Sequence, residues 1–426
     1  LQYRVMTASY YAQTSQDDKA EAILREAIAA DPEDAQRYLL LADFYKNKSG
    51  AERAITELEK NIAAKPELTA LQFSLAQLYL ETENTRQAED ILQGIIDEKD
   101  LEPDALKART AVARLRVQQE DIDSALALLD EVLAENPKDG DALMLKGRIE
   151  LQQEKYTDAI ASFRSVLKGQ PDSAQALTLL AIAHQGNGET ELAKENLARA
   201  VEASPGNAEA RLRLAQFLAS TGDIEGALEQ VNAGLEIEPA NVAMIRAKAE
   251  ILAKQGNAEE LEETLTMLEQ ASPETGLGAF GKGRLYKQQK KYPEAVAAFD
   301  QALAREPGSV LALTEVVNTE IAMGNPDAAI KRLDTVLKEN PEHPAAHDLL
   351  GLAYAAKKDF ARAEQKFARQ LEINPNSSVV YMQLAGARSA QGNTAGAEAA
   401  LKIRPRGIAG RYTFDRRTGY ILWATG

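Results

Sequence analysis

The chain has 426 residues, 45% of them hydrophobic and 5% aromatic, with no cysteine and a formal charge of −16. Without cysteine there are no disulfides, thiolate metal sites or cysteine nucleophiles, and the acidic balance argues against a general affinity for nucleic acid or an anionic membrane surface, which needs clustered Lys and Arg. The sequence offers no run of about 18 apolar residues to insert in a membrane, and its opening, LQYRVMTASYY, has neither an initiating Met nor a signal-peptide profile, so residue 1 is read as a processing or cloning boundary.

From Leu1 onward, apolar and small residues recur at spacings of three, four and seven, the period of a helix, and the pattern itself repeats. Repeats begin at Leu1, Ala35, Thr69, Leu106, Gly140, Ala174, Ala208, Val242, Gly276, Val310, Pro344 and Ser378. All are 34 residues long except the third, with 37, whose extra residues lie in IIDEKDLEPDA, and the last, which loses the pattern after Leu401. The eighth position of a repeat is Ala except at Gly147, Gly283, Gly351 and Val317, and the twentieth is Ala except at Leu261. The twenty-fourth is large: Leu in most repeats, Phe163, Phe299 and Phe367 in three, Val231 in one. Small residues let two helices approach closely while a large one fills the space beside them. Prolines from Pro32 and Pro66 to Pro341 and Pro375 recur where each second helix should end. Within the unit 344–377, Lys357 and Lys358 suit the end of a first helix, Asp359 the start of a second, and Asn374-Pro375 its end.

Over residues 1–401 these positions resemble the tetratricopeptide repeat family. The resemblance implies an all-α, right-handed superhelical solenoid of about twelve 34-residue helix-turn-helix repeats, whose concave face is lined by the first helix of each. Such a unit cannot bury its apolar face alone, so stability comes from stacking on its neighbours.

Residues 402–426 break the pattern. They hold the only tryptophan, Trp423, and six basic residues against one acid. Arg411 to Phe414 and Tyr420 to Trp423 are spaced to pair as a hairpin across DRRTG; a disordered tail, a domain start, or a basic segment folding back on the acidic array are the alternative readings. The array ends carry no polar capping helix, so the chain is expected to belong to a longer protein or to self-associate through those ends.

Little in the sequence points to catalysis, and no cofactor is expected. The only histidines are His184, His343 and His347; the last two have the four-residue spacing of a helical metal pair, but no third ligand accompanies them, and no metal is assigned. His184 falls at the eleventh repeat position, which is Tyr in Tyr11, Tyr45, Tyr79, Tyr286 and Tyr354 and charged in Arg116, Glu150, Glu320 and Arg388. The charged residues are expected to lay their methylenes over the core with the charge in water, and Arg116 and Glu150, in successive repeats, to meet.

In the resembled family, function comes from the groove, so repeat positions 2, 5, 9, 12 and 13 are the ones to read. They yield a partner-binding set of Lys107, Arg114, Met144 and Arg148 in the fourth and fifth repeats and Arg246, Phe280, Arg284, Lys287 and Asn318 in the eighth to tenth: basic points with apolar neighbours, suited to a peptide or protein segment bearing carboxylates. The Lys and Asn set with which some family members hold a C-terminal carboxylate is missing. The expected function is that of a non-enzymatic protein-interaction scaffold. Its alternatives are the periplasmic arm of a bacterial exopolysaccharide synthesis or export assembly, and the regulatory region of an enzyme whose catalytic domain lies outside the chain. The compartment expected is the bacterial periplasm or envelope, with the cytoplasm as alternative.

Overall fold

The computed structural model describes residues 1–343 and 345–402, together with the strands Arg411–Phe414 and Ile421–Ala424. Among these residues, 24 helices follow one another from Gln2 to Lys402, packed in consecutive pairs. The fold class is all-α, and the chain divides into two compact units, Leu1–Pro205 and Gly206–Gly426, in each of which helical hairpins stack as in a solenoid.

Local chemistry sets the helix ends. The last residue of a repeat caps the helix that follows: Asp34, Asp139, Ser173, Asn207, Asn241, Ser309 and Ser377 each accept a hydrogen bond from a backbone N–H two or three residues on. Asp121, Asp223, Asn257, Asn325 and Asp359 do the same for second helices, each satisfying a donor left open at a helix start. Within a hairpin, the turn passes through a left-handed residue at the fifteenth repeat position. Gly188, Gly222, Gly256, Gly324 and Gly392 supply it in some hairpins and Glu83, Glu120, Glu154, Lys290 and Lys358 in others, at φ of 58–91°. A side chain in that region costs about 1 kcal/mol. The hairpin of Ala35–Ser49 and Ala51–Ala64 differs: its first helix runs on and Gly50, at φ 93°, makes the turn.

The core repeats as well. Ala20, Ala54, Ala88, Ala125 and Ala159 are fully buried, as are Leu58 and Leu129 beside them. Glycine at the eighth position is matched one for one with phenylalanine at the twenty-fourth. A Cβ on Gly147 would lie 2.7 Å from the Phe163 ring and one on Gly283 2.5 Å from Phe299, and Gly351 stands in the same relation to Phe367. Each missing methyl makes room for a ring whose burial contributes about 1.5–3 kcal/mol.

The extra residues of the third repeat lengthen the helices Thr85–Lys99 and Pro103–Gln118 and leave Asp100 between them at φ 47°. The buried Arg109 secures this joint, donating from Nη1 to the Asp100 carbonyl (2.5 Å) and from Nε to Glu131 (3.0 Å). After Lys402, Arg411–Phe414 pairs antiparallel with Ile421–Ala424, Phe414 opposite Ile421. The second strand begins one residue later than the spacing predicts. The alternative readings of 402–426, a disordered tail among them, rest on a segment of which residues 403–410, 415–420 and 425–426 lie outside the described residues.

Candidate functional site

In the first unit, the expected binding residues stand on two first helices, Pro103–Gln118 and Gly140–Gln152. Lys107 is exposed, its Nζ 4.5 Å from the centre of the Phe73 ring. Arg114 and Arg148 are exposed, without an ion pair or hydrogen bond among the described residues, and Met144 is half-buried against the hydrophobic core.

In the second unit the structure brings four expected residues together. Arg246, Phe280, Arg284 and Lys287 line one cavity of about 680 Å³, between the helices Val242–Gln255, Ala258–Ala271, Leu277–Gln288 and Val310–Ala322. Its apolar wall is Leu261, Leu265, Leu268, Leu277 and Phe280. Glycine builds that wall: a Cβ on Gly278 would meet the Leu265 carbonyl at 2.7 Å, and Gly281 faces the Leu265 side chain, so the two helices touch almost backbone to backbone. Asn318 is half-buried on the helix Val310–Ala322, outside the residues that line the cavity.

Charge in this cavity is unevenly satisfied. Lys287 Nζ is held by Glu315 (2.6 Å), contrary to the expectation of a basic point open to a ligand. Nearby, Lys282 pairs with Glu269 (2.6 Å) and Lys248 with Glu260 (2.9 Å). The Tyr286 hydroxyl donates to Glu262 (2.5 Å), a hydrogen bond that pushes the phenol up to about 12. Arg246 and Arg284 are exposed at the rim and have no ion pair or side-chain hydrogen bond among the described residues. Glu250 also lines the cavity. The arrangement offers two free guanidinium groups over a leucine floor, chemistry that suits a carboxylate beside an apolar side chain.

Profiles described as Tetratricopeptide repeat match residues 110–174, 184–251, 286–353 and 346–378, together more than half of the chain. The chain is a tetratricopeptide repeat protein. No curated protein matches it. Solved structures with similar helical stacking include MamA 41-end from Desulfovibrio magneticus RS-1 (21% identity, covering 41% of this chain and 96% of that one, TM-score 0.36). YrrB, titled a TPR protein with an unusual peptide-binding site, shares 23% identity over 44% of this chain and 95% of its own, at TM-score 0.36. The APC/C hetero-tetramer Cut9-Hcn1 shares 16% over 90% of this chain and 83% of its own, at 0.35. Scores at this level carry no argument about function. Tetratricopeptide repeat proteins bind protein or peptide partners; the exopolysaccharide assembly and the compartment expected from the sequence find no support in these matches.

The eleventh position of the tetratricopeptide hairpin plays a different part from the one expected. Arg116 does not meet Glu150. It pairs with Glu89 in the preceding hairpin and donates to Gln119 (2.7 Å). Arg388 likewise reaches Glu364 (2.7 Å), and Tyr286 reaches Glu262. Those three acids share the twenty-first repeat position, so the link runs backward from one hairpin to the one before it. Glu150 and Glu320, unlike the two partly exposed arginines, are buried rather than in water, Glu150 accepting from Ser162 Oγ (2.7 Å) and Glu320 from Arg332 (2.7 Å). Of the spaced histidines, His347 shares a hydrogen bond with the Pro341 carbonyl (2.9 Å) and His343 Nδ1 accepts from the Ala345 N–H (3.3 Å). Of the wall residues, Leu277 stands at groove position 2, Leu265 at the large position 24 and Leu261 at the one departure from Ala at position twenty, but none of them belongs to the partner-binding set expected from the sequence, and Leu268 carries no signal there.

Proposed function

We propose that the chain is a protein-interaction scaffold that captures a partner segment at the cavity of Arg246, Phe280 and Arg284. The observation that supports this reading is selective: the neighbouring lysines are neutralised by acids within the fold, whereas these two arginines are free beside an apolar wall whose exposed edge is Leu277. A carboxylate of the partner bonds the guanidinium groups, each charge-assisted hydrogen bond contributing about 1.5–3 kcal/mol, and an apolar side chain enters over Leu261 and Leu265. A volume of about 680 Å³ accepts one or two side chains rather than a helix, so the occupant is an extended acidic and apolar segment. Stacked helices hold the surface ready, which lowers the ordering cost of binding.

A peptide-display selection on the whole chain tests this. The selected peptides should combine Asp or Glu with a large apolar residue, and Arg284→Glu should weaken the tightest of them at least tenfold. Selection of basic peptides, or of peptides indifferent to Arg284→Glu, would overturn the reading.

A further inference from the structure

A second cavity, in the first unit, is built mainly on second helices. It measures about 330 Å³ and lies between Tyr156–Gly169 and Thr190–Ala203, with the end of Ala174–Gly186 at its base. Three cations line it, Arg164 and Lys168 from one second helix and Arg199 from the next. In a chain of net charge −16, all three are exposed without an ion pair or hydrogen bond among the described residues.

Two buried polar groups face the same space. His184, 1% exposed, donates from Nδ1 to the Glu189 carboxylate, while its Nε2 has no hydrogen-bond partner. Asn196, 5% exposed, donates from Nδ2 to the Leu192 carbonyl (2.7 Å), while its Oδ1 has none. Both residues line the cavity. A buried polar atom left unpaired costs about 1–3 kcal/mol, so two at one cavity need a reason.

We propose that this cavity binds a phosphate monoester. Three cations around one small space suit the three outer oxygens of such a group better than the two of a single carboxylate. His184 Nε2, with Nδ1–H given to Glu189, accepts from the P–O–H of the singly protonated monoester. Asn196 Oδ1 can only accept, and so calls for a hydroxyl or ammonium group on the same ligand. Glu195, the one acid lining the cavity, is exposed and suits that ammonium. Leu167 and Leu180 close the base and leave room for little more than the phosphorylated group itself, the volume being near the lower end of small-molecule sites, about 300–1,000 Å³.

O-phosphoserine is the probe, titrated calorimetrically into the intact chain, with inorganic phosphate, serine and acetate as comparisons. We expect saturable one-to-one binding of O-phosphoserine, weaker binding of inorganic phosphate, and none of serine or acetate. Arg164→Gln, Lys168→Gln and Arg199→Gln should each weaken binding about tenfold with the thermal midpoint unchanged, because none of the three side chains holds the fold together. Lys331→Gln, at an exposed lysine of the other unit, should change nothing. A phosphoserine pentapeptide distinguishes the sources: equal or tighter binding assigns the phosphate to a partner protein, and exclusion assigns it to a free small molecule. No saturation, binding unchanged in all three variants, or acetate binding as tightly as phosphate would overturn the proposal.

Discussion

The hairpin of Gly140–Gln152 and Tyr156–Gly169 and that of Val310–Ala322 and Pro326–Glu339 occupy the same 34-residue frame and fill it differently. The first sets Gly147 against Phe163, and the second has Val317 and Leu333 at those two positions. The first turns through Glu154 at φ 58°, the second through Gly324 at φ 76°. Both bury a glutamate at the eleventh position. Glu150 has only the Ser162 hydroxyl, and burial pushes its carboxyl up, whereas Glu320 has Arg332, which also reaches Asp300 in the preceding hairpin (2.5 Å). The repeat therefore specifies a combined volume and a left-handed turn, and leaves the polar contents of the frame to each hairpin.

Breaking the size match should have the largest effect. Gly147→Val drives a side chain into Phe163 and should destabilise the first hairpin by about 3 kcal/mol, the upper end of overpacking costs. Adding Phe163→Leu should recover most of that loss in chemical denaturation; strictly additive losses would refute the pairing. Next, Arg332→Met leaves the buried Glu320 carboxylate unpaired and should cost about 2 kcal/mol, below the usual range for a buried pair because the guanidinium is partly exposed. Ser162→Ala, its counterpart, removes a single hydroxyl donor and should cost about 1 kcal/mol.

The same substitution should then act with opposite sign in the two hairpins. Glu150 has its folded-state pKa raised by burial, so the stability it contributes is present below about pH 4 and is lost as pH rises through the folded value. Glu150→Gln should thus stabilise the chain at pH 8 and have little effect at pH 4, while Glu320→Gln, which gives up a guanidinium partner, should destabilise it at pH 8. Urea titrations at the two pH values check both signs. The smallest effect belongs to the turns: Glu154→Gly should stabilise and Gly324→Ala destabilise, each by about 0.5–1 kcal/mol.

What the sequence discloses follows from how far apart the interacting residues lie. Helices, caps and the alternation of small and large positions depend on neighbours within one repeat, so they are readable from periodicity alone. Arg246 and Phe280 are 34 residues apart, and that spacing was enough to bring them to one cavity. Pairing choices were not readable in this way. Lys287 and Glu315 meet across 28 positions and Arg116 and Glu89 across 27, and nothing local distinguishes a paired lysine from a free one. The match of Gly147, Gly283 and Gly351 to Phe163, Phe299 and Phe367 stands in the sequence, but the distance between ring and backbone gives it meaning. The cations of the basic cavity sit on second helices, outside the first-helix positions that line the groove in the resembled family, so no groove position points to them.

The central claim is that buried matched volumes hold the fold while free arginines at the cavity of the second unit hold the partner. Arg284→Glu, measured for thermal midpoint and for affinity to a selected acidic peptide, tests both halves at once. The midpoint should stay within about 1 °C of the parent chain, as for an exposed residue without partners, and affinity should fall at least tenfold. A lowered midpoint with unchanged affinity would contradict the account.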